Sequence, residues 1–362
     1  MRGVLRGGPS TMVRGGARWI AFGLALFLSP GCGGEGAKKD GHAGADGSAA
    51  KSGGTAPYHV GLVFDVGGLG DKSFNDAAYR GLQKAKTELG IEFEYLEPGE
   101  GSERDAALRQ LASGKAQLVF GVGFLFTDDI KKVAAEYPDK KFACIDYTWQ
   151  EGEPVPANLA GIKFREEEGS ALVGALSALL SKSGTVGFVG GMDIPLIHKF
   201  EAGYRAGFLA EKADGKVLVN YAGVTGEAFA NPAKGKELAL AQIDRGADII
   251  FHASGSTGLG VFEAARERKV LAIGVDSDQQ AEAPGFILTS MVKQVDVAVF
   301  ETVKSAKAGS FQGGVRVLGL KEGGVDYIND ANNAQWITPE VKAKVEALRA
   351  EIIAGSFPVP SK

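Results

Sequence analysis

The sequence predicts an α/β protein of two similar lobes, each built on a parallel sheet with helices on both faces. From Tyr58 onward, short apolar runs alternate with longer amphipathic runs, which is the pattern of strands and helices in such sheets. The apolar runs form two comparable series, which indicates two lobes. The chain has 362 residues, 44% of them apolar, so each lobe has enough chain to bury a core.

Charge composition argues against nucleic acid as a partner. The chain carries 40 basic and 44 acidic side chains and has no basic stripe.

The first 32 residues are typical of a secretory signal. Arg14 and Arg18 precede the apolar run 19–28, and small residues follow up to Cys32. The run has about ten residues, whereas a helix needs ~20 apolar residues to span a bilayer. We therefore expect no permanent transmembrane anchor.

The motif Leu28-Ser29-Pro30-Gly31-Cys32 resembles a bacterial lipobox, in which cleavage exposes a lipidated cysteine. The alternative is a plain signal peptide with an incidental cysteine. Residues 33–56 are rich in Gly, Ala, Ser and Lys and lack apolar periodicity, which predicts a flexible tether. A tether directly after Cys32 favours the lipid anchor. Translation starts at Met1 or at Met12.

The elements of the folded part follow in order. The first predicted strands are Val60–Phe64, Ile91–Leu96, Gln117–Gly121, Phe142–Asp146 and Leu159–Phe164. The second series is Thr185–Val189, Val217–Tyr221, Asp248–His252, Leu271–Val275 and Phe286–Met291. Spacings near 3.6 predict helices at Asn75–Leu89, Asp105–Ser113, Glu166–Leu180, Ile197–Ala210, Lys234–Arg245 and Gly258–Lys269.

Prolines suggest where the chain first passes between lobes. Pro154 and Pro156 interrupt both helix and strand, so we expect the crossing at Gly152–Asn158. The expected lobes are residues 57–160 with 277–312 and residues 161–276 with 313–362. Ligand loops lie at the carboxyl ends of parallel strands, so a site between the lobes is expected.

The loop from Asp65 to Asn75 ends the first strand and begins a helix. Its glycines let the backbone approach a ligand, and Asp71 or Ser73 can cap the helix. The glycine and lysine order does not fit a Walker A loop. Phe74, at the junction, either faces a ligand or packs in the core.

A second loop, 223–232, places Phe229 among small and polar residues before a helix. Two aromatic rings from opposing lobes could clamp a flat ring, since stacking contributes ~1–3 kcal/mol per nucleobase. Asp146, at the end of a strand, is a candidate for the polar edge of that ring. Its alternative role is that of a turn residue.

A third cluster joins the glycine-containing run 254–260 to Asp276, which ends the next strand. Such an aspartate can accept hydrogen bonds from the hydroxyls of a sugar. Glycines before a helix and a later acidic residue are also a loose Rossmann fingerprint, so an NAD-type oxidoreductase is an alternative. The glycines do not fit G-x-G-x-x-G.

Other chemistry finds little support in the sequence. Cys144 lies in an apolar run and is expected to be a buried, reduced thiol if Cys32 is lipidated. Two cysteines and four scattered histidines do not provide a metal site. No nucleophile, base and orienting acid have recognisable spacing, so we expect no enzyme activity and no cofactor.

Ordered motifs over nearly the whole mature chain resemble the basic membrane protein family of substrate-binding lipoproteins, and within it the purine nucleoside receptors. They are Asp71-Lys72-Ser73-Phe74-Asn75, Gly190-Gly191-Met192, Phe200-Glu201-Ala202-Gly203-Tyr204, Phe229 with Asn231-Pro232, Gly258-Leu259-Gly260, Ile273-Gly274-Val275-Asp276-Ser277-Asp278 and Thr289-Ser290-Met291-Val292-Lys293. Ala230 departs from the family, in which an acidic residue is common at that position.

The resemblance implies a type I periplasmic-binding-protein fold that closes on a ligand between its lobes. It implies that Phe74 and Phe229 sandwich a purine, and that Asp146, with Asn75 or Asp65, bonds the polar edge of the base. Asp276, Lys293 and the backbone near Gly255 would hold the ribose. Lys293 is expected at the start of a helix, and its alternative role is that of a solvated lysine.

The resemblance also implies the protein's place in the cell. It predicts a monomer in the cell envelope, lipid-anchored to a bacterial membrane and facing the periplasm or exterior, that serves the permease subunits of an ABC importer. Relatives also bind other small molecules and sense them for signalling, which remains an alternative.

Overall fold

The computed structural model describes residues 56–98 and 103–362. The signal segment, Cys32 and all but the last residue of the tether lie outside the described residues. Within the described part of the chain, no helix has the length and apolar character needed to cross a bilayer.

Twelve strands and nine helices are defined in this part of the chain. The strands are β1 His59–Val63, β2 Glu92–Leu96, β3 Leu118–Val122, β4 Lys141–Ile145, β5 Leu159–Phe164, β6 Thr185–Met192, β7 Lys216–Gly223, β8 Ile249–Ala253, β9 Leu271–Asp276, β10 Ile287–Lys293, β11 Gly314–Leu318 and β12 Val325–Tyr327. The helices are α1 Phe74–Leu89, α2 Glu103–Ser113, α3 Thr127–Glu136, α4 Glu166–Leu180, α5 Pro195–Glu211, α6 Pro232–Ile243, α7 Thr257–Arg268, α8 Val295–Lys307 and α9 Pro339–Ala354.

The strands form two six-stranded sheets. The first has the order β11-β5-β4-β3-β1-β2 and the second the order β12-β10-β9-β8-β6-β7. Every pairing is parallel except that of β10 with β12. The central strands β3 and β8 are buried at every residue, because helices cover both faces of each sheet. The predicted α/β fold of two lobes is confirmed.

Helices α4 and α5 pack unusually closely in the second lobe. Gly203 and Gly207 of α5 lie against the backbone oxygens of Glu167 and Ala171, where a Cβ atom would overlap the α4 backbone. Gly174 of α4 meets Tyr204 in the same way. Twelve of the 15 residues of α4 are buried, so this helix is part of the core.

The sheet order corrects the predicted lobe boundaries. Segment Gly152–Asn158 does not cross between lobes, because it joins β4 to β5, which are neighbours in the first sheet. The two prolines lie in the connection between these strands, and the chain returns to the same sheet after them. The chain first passes from the first lobe to the second after Phe164, which ends β5, and α4 already belongs to the second lobe.

The C-terminal part of the assignment is also wrong in two places. Strand β10, expected with the first lobe, pairs with β9 in the second sheet. Strand β11, expected with the second lobe, pairs with β5 in the first sheet. An apolar run indicates a strand but carries no information about which neighbour it joins, so these errors arise from topology and not from secondary structure.

Candidate ligand-binding site

A cavity lies between the lobes, at the carboxyl ends of strands from both sheets. It contains about 560 Å³ of space not filled by protein atoms, part of it open to solvent. The eight residues predicted from sequence all line it: Asp65, Phe74, Asn75, Asp146, Phe229, Gly255, Asp276 and Lys293. They come together because parallel strands end at the same edge of their sheet.

The apolar wall comes from both lobes. Phe74 is the first residue of α1, and Phe229 ends a short 3₁₀ turn that precedes α6. Both rings are partly buried against the core and line the cavity, so the packing and ligand-facing alternatives for Phe74 coexist. Phe124 and Phe200 also line the cavity and were not predicted as site residues.

Asp71 organises the first loop. Its carboxylate accepts hydrogen bonds from the backbone N–H groups of Ser73 and Asn75, each at 2.9 Å, and of Asp76 at 3.1 Å. These are first-turn donors of α1 that would otherwise lack partners. Asn75 holds the same loop: its Oδ1 accepts from the backbone of Asp65 at 3.0 Å, and its Nδ2 donates to Asp71 at 3.1 Å. The amide of Asn75 is thus already engaged on both sides.

Lys293 is buried among carboxylates. It is only 2% exposed and ends β10, so neither the solvated lysine nor the predicted helix start is correct. Its Nζ lies 2.6 Å from Asp146 and 3.2 Å from Glu166. Lys199 of α5 pairs with Glu166 and, at 3.2 Å, with Glu167. The ion pair between Asp146 and Lys293 joins the two lobes.

Lys293 also lies against aromatic rings. Its Nζ is 5.0 Å from the centre of the Phe74 ring and 5.1 Å from that of Phe164. These distances suit cation–π attraction. One wall of the cavity therefore already has a fixed cation behind its aromatic surface.

Burial and neighbouring charges shift the pKa values of these groups. Burial alone would lower the pKa of Lys293, but the charges of Asp146, Glu166 and Asp276 together raise it. Burial raises the pKa of Asp65 to about 7 and that of Asp276 to about 6. Burial also raises the pKa of Asp146, although Lys293 opposes the change.

The backbone places two of these carboxylates. Asp146 and Asp276 have φ values of 61° and 63°, in the left-handed region that residues with a side chain rarely adopt. Oδ1 of Asp146 is buried and has no hydrogen-bond partner among the described residues. The described chain thus leaves this acceptor unsatisfied.

The lining is rich in hydrogen-bond acceptors and poor in available positive charge. Its four carboxylates, from Asp65, Asp71, Asp146 and Asp276, face a single cation among the lining residues of the described chain, Lys293, which is already paired. A ligand that brings several donors and no negative charge fits this arrangement. A phosphate group would meet acidic residues without a free cation.

Packing accounts for the glycines of the third cluster. Gly255 has a φ of 56°, and a Cβ atom there would lie 2.9 Å from the Phe229 carbonyl oxygen. Gly258 lies against the ring of His252, and Gly260 against the backbone of Pro232. The glycines thus allow α6 and α7 to approach and help to seat Phe229, which is a different use from the phosphate contact of a Rossmann fingerprint.

His252 and Cys144 are buried and do not line the cavity. His252 is fully buried, and its Nε2 atom lies 3.1 Å from Oε1 of Gln279. Burial lowers the pKa of His252 to about 4. Cys144 is buried and is not in a disulfide within the described chain. No group of His, Cys, Asp and Glu side chains in the described residues is arranged to hold a metal ion.

The chain is similar in sequence and in fold to known proteins. Residues 59–362 match the family described as ABC transporter substrate-binding protein PnrA-like. A lipoprotein of Pyrococcus abyssi is 40% identical over 74% of this chain and 68% of that protein. Basic membrane protein A of Borreliella burgdorferi is 36% identical over 83% of this chain and 87% of that protein. The crystal structure of an ABC transporter solute-binding protein from Aeropyrum pernix aligns with a TM-score of 0.76 and 31% identity, covering 84% of this chain and 94% of that one.

Proposed function

The chain belongs to the PnrA-like family of ABC transporter substrate-binding proteins, and from that premise we propose that it captures a purine nucleoside and delivers it to a membrane permease. One observation carries the choice of ligand. Phenylalanines from both lobes border the same cavity as several buried carboxylates and one lysine that is already paired.

The base of a nucleoside suits the aromatic part of this cavity. Phe74 and Phe229 belong to opposite lobes, so closure of the lobes would bring a ring from each side against a flat ligand. Asp65 and the unpaired oxygen of Asp146 would accept hydrogen bonds from N–H groups of a purine. Stacking itself distinguishes poorly between bases, so these acceptors would supply the preference.

The ribose suits the other end of the cavity. Asp276 would accept from neighbouring sugar hydroxyls, while Lys293 would donate to them and keep the carboxylate charge balanced. The backbone near Gly255 would complete this part of the site. Other ligands fit less well, because an amino acid would bring a carboxylate and a nucleotide a phosphate to a cavity without a free cation among its described lining residues.

Calorimetric titration of inosine and 2′,3′-dideoxyinosine tests this assignment. Phe74→Ala or Phe229→Ala should weaken inosine binding by roughly tenfold or more, because a stacking face is worth ~1–3 kcal/mol. Asp276→Asn should cost ~1.5–3 kcal/mol for inosine and much less for the dideoxy compound, which lacks the ribose hydroxyls. Phe93→Ala is the matched control, since Phe93 is a half-buried ring of the first lobe outside the cavity.

The outcomes separate the parts of the proposal. Purine binding that survives both clamp substitutions would contradict the aromatic clamp. Equal losses for both ligands on Asp276→Asn would contradict the ribose assignment. Release of free base from inosine in proportion to protein concentration would instead indicate an enzyme.

We propose further that Cys32 carries the lipid anchor and holds the protein on the outer side of a bacterial membrane. The order of the leader and tether supports this, as do relatives named lipoproteins. Cys32→Ser should move the protein from the membrane to the soluble fraction without changing the affinity for the ligand. A variant that stays in the membrane would show that another anchor operates.

A further inference from the structure

Ser73 has an unusual place at the start of α1. It is the N-cap residue and is fully buried, yet its side chain makes no capping hydrogen bond. A serine here ordinarily accepts from the first turn of the helix. Asp71 takes over that role by accepting three backbone N–H groups. The Ser73 hydroxyl is therefore free to act as a donor elsewhere.

That hydroxyl reaches the other lobe. Ser73 Oγ lies 2.5 Å from Oδ2 of Asp276, which is the last residue of β9, and 3.3 Å from the carbonyl oxygen of Val275. Of these two acceptors, the Asp276 carboxylate is closer and stronger, so it accepts the single proton of the Ser73 hydroxyl.

Other hydrogen bonds join the same two segments without contacting the Asp276 carboxylate. Ser277 Oγ donates to the backbone oxygen of Ser73 at 2.8 Å, and Gln279 Nε2 donates to that of Lys72 at 3.0 Å. Arg80 of α1 donates to Ser277 Oγ at 2.9 Å. The loop before α1 is thus hydrogen-bonded to the segment after β9 at several points, of which only the Ser73 hydroxyl reaches the carboxylate.

We propose that Ser73 is a positioning residue for sugar recognition: its hydroxyl fixes one oxygen of Asp276 and leaves the other to accept from the ribose. This inference rests on the proposed nucleoside function. It adds a residue that touches no ligand itself and that makes hydroxyl recognition by one lobe depend on the loop of the other.

The charges around Asp276 make the contact matter at neutral pH. Burial raises the pKa of Asp276 to about 6, Lys293 and the Ser73 hydroxyl lower it, and Asp146 and Asp71 raise it. Loss of the hydroxyl therefore raises the pKa further. The ionised form accepts strongly, so recognition of the sugar is complete above the pKa and is lost as the pH falls through it. Without Ser73, that loss should begin at a higher pH.

The test is the ratio of the dissociation constant for 2′,3′-dideoxyinosine to that for inosine, measured from about pH 5 to pH 8. This ratio isolates the sugar, because the base meets the same aspartates in both ligands. In the wild type it should fall as the pH drops through about 6. In Ser73→Ala it should be about tenfold smaller at neutral pH, with its fall displaced to higher pH.

Two further variants provide controls. Ser277→Ala removes a hydroxyl from the same contact between lobes without touching Asp276, so the ratio and its pH profile should stay as in the wild type. Ser73→Cys keeps a weak donor of similar size and should give an intermediate ratio. In the Asp276→Asn background, Ser73→Ala should change the ratio little, because the acceptor charge is already gone.

The results distinguish the role of Ser73 from the proposed binding of a nucleoside. If Ser73→Ala weakens both ligands equally and leaves the pH profile unchanged, Ser73 is only structural and the inference is wrong. If the wild type binds neither ligand, the nucleoside function is wrong and the inference falls with it.

Discussion

Asp65 illustrates how one partly buried acid can make the cavity sensitive to pH. Its Oδ1 accepts from the backbone N–H of Val66 at 2.8 Å, which favours the ionised form. Burial and the neighbouring Asp146 and Asp71 act the other way, and the net result is a pKa of about 7. The acid therefore changes charge close to neutral pH, at the wall of the cavity.

The first prediction follows from the direction of that shift. A carboxyl whose pKa is raised by folding stabilises the protein at low pH, and this contribution is lost as the pH rises through the folded-state pKa. Asp65→Asn should therefore show a smaller loss of unfolding free energy between about pH 4 and pH 8 than the wild type. Three pKa units correspond to ~4 kcal/mol, but Asp65 is partly accessible, so we expect a difference of ~1–2 kcal/mol.

Urea unfolding of the ligand-free protein at several pH values measures this. Asp139→Asn, at an exposed position, provides the control for removing a carboxylate that folding does not bury. Parallel pH profiles for the wild type and Asp65→Asn would contradict the prediction.

At the residue level, the sequence predicts a cavity residue best when it follows a strand. Asp146 and Asp276 were found by that position and Asp65 by the resemblance to the family, and the structure brings all three to one cavity. Ser73 and Lys199 were not found as partners of the site, because each acts through a side chain from a distant segment. Such pairs form only once distant elements are packed together, so local pattern carries no signal for them.

At the level of elements, periodicity predicted the strands of the two central series well and missed later elements. Helix α9 had recognisable signals: Pro339 is its first residue, and Thr338 caps it by accepting from Val341. Strand β11 has mixed exposure and lies at a sheet edge, so it lacks the continuous apolar run of a central strand. Edge elements are thus harder to recognise than the central strands beside them.

The second prediction concerns the contact between α4 and α5. Helix propensity alone makes alanine better than glycine by ~1 kcal/mol. At Gly203, however, a Cβ atom would overlap the backbone of Glu167, so the helices must move apart. Gly203→Ala should therefore destabilise the protein by ~1–3 kcal/mol, measured by denaturant unfolding.

Ala210→Gly, at an exposed position of the same helix, is the control for propensity. It should be destabilising by ~1 kcal/mol, in accordance with propensity. If Gly203→Ala instead stabilises the protein, the helices do not approach as closely as described.

At the level of the whole molecule, loops of opposite lobes meet beside the cavity. A Cβ atom on Gly226, in the second-lobe loop, would lie 2.8 Å from Val66 Cγ2 and 3.6 Å from Leu125 Cδ1, both in the first lobe. Glycine thus allows the two loops to meet. A larger side chain at this position would keep the lobes from closing fully.

The third prediction is that Gly226→Val weakens binding of the proposed nucleoside ligand by roughly tenfold, mainly through faster dissociation. Stopped-flow release of inosine measures the rate, and small-angle X-ray scattering with saturating ligand should show a larger radius of gyration than the wild type. Val224→Ala, on the same loop and 76% exposed, should leave both unchanged. An unaltered release rate for Gly226→Val would mean that the loops do not limit closure.

The return of β11 to the first sheet has a consequence for how the protein folds. The chain passes through β6 to β10 of the second sheet before β11 pairs with β5, and β12 then pairs with β10. During synthesis, the buried strands β5 and β10 therefore stand at sheet edges until β11 and β12 are available to pair with them, and unpaired edges attract other chains. Long-range pairing of this kind is slow to form. The fold thus favours a chain that stays unfolded until its synthesis is nearly complete, and a chain arrested before Gly314 should aggregate.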